Sequence, residues 1–169
     1  ENGALALAFW LGLLPRNLFS MQTGAALPPE EVDALGPGDV TDQSAGLQTE
    51  LNLITIGSLA LTTAPGELYP ELWLTGPSGA SLVAAPEGAD YRDAPAERSL
   101  SSYLGESFVP VIVNNGNDAL GYILPRSQWD EKPPFAYGRT ESPQYGEQNS
   151  LGPATAARIS EEFAELVSR

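Results

Sequence analysis

Two side chains have the type and setting to do metal chemistry. Ala64-Pro65-Gly66-Glu67 closes an apolar strand with a carboxylate, and Asn117-Asp118-Ala119-Leu120-Gly121-Tyr122-Ile123-Leu124-Pro125 places a phenol in another strand. Proline fixes its own backbone angle and glycine tolerates positive ones, so the turn before Glu67 presents its carboxylate at a defined spot. A zinc site, however, normally includes imidazole or thiolate ligands, and the 169 residues contain no histidine and no cysteine. If catalytic, this chain holds only part of a site.

Each feature also has a plainer reading. Glu67 suits the N-terminus of a helix over 68–74, where the backbone dipole favours an acid. Tyr122 could be a packed strand aromatic. Asn114, Asn115 and Asn117 are typical turn formers. Trp129 to Tyr137, followed by Gln144 to Ser150, form a loop rich in aromatics. Such a loop could line an acyl or lipid cleft beside the strand mouth, or pin itself onto the fold.

The elements that would position these residues follow from the apolar pattern. Leu51 to Ile56 and Leu59 to Thr62 read as strands joined by a Gly57-Ser58 hairpin turn. Phe108 to Val113 is a continuous apolar run, which fits a strand covered on both faces. Leu120 to Leu124 reads as a further strand, and 76–98 as turn-rich. From Pro153 the residues Ala156, Ile159, Phe163, Leu166 and Val167 form one stripe of an amphipathic helix. Upstream, Pro29 to Leu35 suits a short helix beginning with Glu30 and Glu31. Ala4 to Leu14 is apolar on all sides but too short to span a membrane, which predicts a buried helix. The expected fold is α+β: a mixed sheet with flanking helices and long loops, the first and last helices covering the sheet. One segment, 1–169, divides into a helix and linker over 1–47 and a motif-bearing part over 48–169.

Composition sets the partners. A formal charge of −14, with only 8 Lys and Arg, argues against nucleic acid, whose phosphates need basic clusters. Absence of cysteine excludes a disulfide framework. The chain begins at Glu1 and its one methionine is Met21, so it is expected to be a processed or excised piece of a longer polypeptide.

Taken in order, Leu53 to Glu67, then Asn117 to Ile123, then Trp129-Asp130 and Tyr145-Gly146-Glu147 resemble the C-terminal part of the catalytic domain of neutral/alkaline ceramidases. The likeness is closer to their bacterial ceramidase-like relatives, which carry a stretch similar to Gly121 to Pro134. It covers about residues 48–168. The resemblance implies a zinc ion held by two histidines, a glutamate and a tyrosine, with Glu67 and Tyr122 in the last two places. The histidines would come from an N-terminal chain of the same precursor or domain. It further implies Tyr145 as the tyrosine supporting the reacting amide, with Tyr137 as competitor, and Asn117 near the metal; Trp129, Tyr137 and Asn117 would then contact substrate. The activity implied is hydrolysis of an N-acyl amide to a fatty acid and an amine, in a periplasmic or extracellular setting with membrane-surface contact. Two alternatives stand beside it. One is an acidic module binding calcium or a protein partner, through Asp39, Asp42 and Asp118 in Gly- or Asn-rich loops that lack regular calcium-loop spacing. The other is a ceramidase-like amidase acting on a different N-acyl substrate.

Overall fold

A computed structural model describes residues 17–34, 45–77, 80–138 and 141–169. The predicted helix over Ala4 to Leu14, and the calcium candidates Asp39 and Asp42, lie outside the described residues. The chain divides into two compact units, Asn2–Thr49 and Glu50–Arg169.

In the first unit, β1 (Leu18–Ser20) pairs antiparallel with β2 (Ala45–Leu47), and α1 (Pro29–Ala34) lies between them in sequence. Pro29 opens the helix with Glu30 and Glu31 in its first turn, as a helix N-terminus favours.

The second unit carries the motifs. β3 (Asn52–Ile56) and β4 (Leu59–Thr63) form the expected hairpin, with Gly57 at φ 59°, a conformation glycine adopts without strain. β4 then pairs in parallel with β6 (Val109–Val113), in register from Leu59↔Val109 to Thr63↔Val113. Between them lie β5 (Glu67–Leu68) and α2 (Pro70–Trp73). β5 pairs in parallel with β7 (Tyr122–Ile123). A short α3 (Tyr145–Gln148) and the long α4 (Thr155–Ser168) close the chain.

The class is α+β, but the strands divide among small sheets instead of joining one. The loops decide this. Pro65 and Gly66 turn the chain out of β4 after Ala64, so β5 cannot continue its ladder and takes β7 as partner.

The core forms where these pieces meet. Ala60, Leu68, Leu72, Trp73, Leu100, Ile123, Ile159 and Phe163 belong to one buried cluster. The stripe on α4 is therefore the inward face, and Phe163 is 0% exposed. Burying each such Phe or Leu contributes about 1.5–3 kcal/mol. The outward face of α4 carries Arg158–Glu162 and Glu165–Arg169 ion pairs at i,i+4 spacing. These exposed pairs contribute about 0.3–0.5 kcal/mol each, so packing holds the helix in place.

Candidate functional site

Glu67 and Tyr122 stand directly opposite one another in the β5–β7 ladder. Alternation along the strands explains which way they face. Leu68 and Ile123, the neighbouring register pair, are buried in the core, so Glu67 and Tyr122 project to the opposite side. The Glu67 carboxylate lies beside the Tyr122 phenol and, after burial, is the main cause that holds its proton on.

The loop from Asn114 to Gly121 is fastened along the Ala64–Glu67 turn, and this sets the register. Gly116 N donates to Ala64 O at 3.0 Å, Leu120 N to Pro65 O at 2.9 Å and Glu67 N to Gly121 O at 2.9 Å. Two glycines permit the close approach. A Cβ on Gly66 would lie 2.6 Å from Gly121 O, and Gly121 itself has φ 92° with Asn149 O where a Cβ would go. Tyr122 N in turn donates to Asn149 O at 3.0 Å, tying β7 to the end of α3.

That last contact brings Tyr145 in. Its ring meets that of Tyr122 edge-to-face, with centroids 5.5 Å apart, and its side chain stays 62% exposed. A third ring, Tyr69, meets Tyr122 from the other direction at 6.2 Å. Tyr69 is two residues beyond Glu67 and therefore on the same side of the extended chain. Its hydroxyl reaches Gln144 Oε1 at 3.3 Å and occupies the space a side chain at Gly146 would need. Sequence reasoning missed Tyr69, because 68–74 was expected to be helical throughout. Pro70 was the available signal: proline favours the first helical position and keeps the preceding residue extended.

A polar network supports the cluster from below. Gln144 Nε2 donates to Gln128 O at 3.1 Å, and Gln128 Nε2 to Glu71 Oε1 at 3.2 Å. Buried Glu147 accepts from Asp130 N at 2.5 Å and Gln144 N at 3.1 Å, completing a capping box on α3. Burial pushes the Glu147 carboxyl above its usual value, against the pull of these backbone donors.

The electrostatics are one-sided. Burial, then the Glu67 carboxylate, hold the Tyr122 phenol above its ordinary range. Burial, then Glu147 and Glu71, do the same to Tyr69. Tyr137 is pushed up to about 12 by burial, then Glu71 and Tyr69. After burial, the leading charged neighbours are thus carboxylates, and a cation placed among them would oppose their effect.

The other expected residues are placed differently. Asn117 donates from Nδ2 to Glu50 O at 3.2 Å, tying its loop to the entry of β3. Trp129 is 8% exposed, so of the two expectations for the aromatic loop it follows the pinning one. Asp130 beside it accepts from Asp90 N and Ala136 N, which fastens the loop at two points. Tyr137, at φ 60° and 48% exposed, leaves its ring accessible beside the same carboxylates. Asp118 Oδ1 accepts from Ala119 N at 2.8 Å. Among the described residues no group of three or more Asp, Glu, His or Cys side chains could hold a metal ion.

Glu67 and Tyr122 are two oxygen donors at one point, and zinc in proteins takes about four ligands, commonly including nitrogen or sulfur. By themselves they cannot complete such a shell. No family model, curated protein or solved structure matches the chain.

Proposed function

We infer that this chain is the C-terminal part of a zinc-dependent N-acyl amide hydrolase of the ceramidase-like kind. Its remaining zinc ligands are two histidines of another polypeptide segment, the N-terminal part of the same precursor or domain. The observation that carries this reading is the in-register pairing of Glu67 with Tyr122, two oxygen donors from distant parts of the sequence brought together on one face. The carboxylate-rich surroundings support it, since they favour a cation at that point.

Zinc, when bound, supplies Lewis-acid polarisation of the amide carbonyl and an acidified water. The chain's own residues do the rest. Glu67 and Tyr122 would hold the cation as two oxygen ligands. Tyr145, exposed and packed against Tyr122, offers a hydroxyl to the substrate oxygen as charge develops there. One such donor contributes about 3 kcal/mol to the transition state. Tyr69 keeps Tyr122 in position between two rings. The products are a carboxylic acid and an amine, and a periplasmic or extracellular location belongs to the same proposal.

Metal analysis tests it. The isolated chain is expected to hold no stoichiometric zinc, whereas the complex with its histidine-bearing segment holds one ion per site. Glu67→Gln in that complex is expected to lose both the zinc and amide hydrolysis. Retention of both would remove Glu67 from the site.

A further inference from the structure

Gly146 lies inside α3, where a helix by itself would favour alanine over glycine. Here a Cβ has no room. The Tyr69 hydroxyl fills the space it would take, and the ring carbon bearing that hydroxyl is 2.9 Å from the same point. The glycine is thus required by a contact with a distant segment of chain and not by the helix that contains it.

The hydroxyl is anchored as well as seated. It donates to Gln144 Oε1 at 3.3 Å. Gln144 is the residue before α3, and its side chain also accepts from the Glu147 backbone N–H in the capping box, so Tyr69 is bonded to the group that starts the helix. Burial, then the Glu147 and Glu71 carboxylates, hold the proton on Tyr69, and the hydroxyl stays a donor well above neutral pH.

The same turn carries Tyr145. At 62% exposed, that side chain has little burial of its own to fix it, so its placement falls to the backbone beneath it. Its ring meets Tyr122 edge-to-face at 5.5 Å, and Tyr69 meets Tyr122 at 6.2 Å. Tyr69 therefore touches both the ring that Tyr145 packs on and the backbone that bears Tyr145. Just past the end of α3, Asn149 O accepts from Tyr122 N at 3.0 Å, so the helix is tied to β7 at its finish and spaced from β5 by Tyr69 at its start.

We propose that Tyr69 is a positioning residue: its hydroxyl, seated on Gly146 and bound to Gln144, sets the first turn of α3 and with it the place of the Tyr145 hydroxyl beside Tyr122 and Glu67. That Tyr145 then acts on an amide rests on the functional reading above; the positioning itself does not.

A size swap tests it. Gly146→Ala is made in the full chain, alone and together with Tyr69→Phe, which removes the hydroxyl and keeps the ring. Contact between the Tyr122 and Tyr145 rings is followed by NMR, as ring-proton Overhauser effects in tyrosine-labelled protein. Amide hydrolysis is followed in the zinc-loaded complex with the histidine-bearing segment. Gly146→Ala is expected to weaken the ring contact and to lower kcat roughly tenfold or more, with KM and zinc content unchanged. Adding Tyr69→Phe gives the new Cβ the place the hydroxyl left, and is expected to restore the ring contact and raise kcat above that of Gly146→Ala alone. Two residues acting independently would instead have losses that multiply. A ring contact unchanged in Gly146→Ala, or a double variant no better than Gly146→Ala, overturns the proposal. If Gly146→Ala does not fold, recovery of the fold in the double variant is the same rescue, and its failure overturns the proposal as well.

The positioning and the functional reading fail separately. If the ring contact follows the swap while Tyr145→Phe leaves kcat unchanged, Tyr69 positions Tyr145 and the role given to Tyr145 in hydrolysis fails. If Tyr145→Phe lowers kcat while the ring contact ignores the swap, the role of Tyr145 stands and the positioning by Tyr69 fails.

Discussion

Gly121 shows how much the site depends on single positions. Its φ of 92° is unfavourable for any residue with a Cβ, and Asn149 O occupies the space a Cβ would take. Gly121→Ala is expected to cost roughly 1–3 kcal/mol in backbone strain alone, with displacement of Asn149 in addition. Urea denaturation measures the loss. The displacement itself should appear as altered packing of Tyr145 on Tyr122, visible in the near-ultraviolet circular dichroism. Tyr137 makes a different prediction. Its folded pKa of about 12, against an ordinary value of 10.0, means the folded chain holds the phenolic proton more tightly than the unfolded one. The stabilisation is therefore complete below about pH 10 and is lost as pH rises through about 12. Alkaline titration of tyrosinate absorbance should show a late-titrating group that Tyr137→Phe removes, and thermal stability should fall across the same window.

At the scale of elements, α4 is held by its buried stripe. Phe163 is fully buried, meets Tyr103 edge-to-face at 6.2 Å and lies in the same cluster as Ile123 of β7. Phe163→Ala is expected to destabilise the unit by about 3–5 kcal/mol, measured by calorimetry or urea titration. The loss should reach the site, because Ile123 sits beside Tyr122 and packs in that core. The hairpin, the terminal helix and the strand before the asparagine loop were all legible in the sequence. Period-two and 3.6-residue patterns, with Gly57-Ser58 and Pro153 as punctuation, are local signals. The 68–74 segment was misread for a local reason too: Leu68, Leu72 and Trp73 fit a helical stripe, and only Pro70 marks where extension ends.

For the molecule as a whole, the formal charge of −14 sets a background of self-repulsion. Added monovalent salt screens it, and is expected to raise stability by about 1 kcal/mol, or about 2–4 °C in Tm for a chain of this size. Differential scanning fluorimetry over a salt series checks this.

The residue order determined the α+β class, the Pro-Gly turn that presents Glu67, and the absence of any nitrogen or sulfur ligand from histidine or cysteine. These are matters of composition and of neighbours along the chain. Only tertiary structure decided that Glu67 and Tyr122 share a register, that Tyr69 and Tyr145 flank them, and that Trp129 is packed away. Each of those depends on parallel pairing and loop closure between distant segments, and no local pattern encodes which strand a strand will choose.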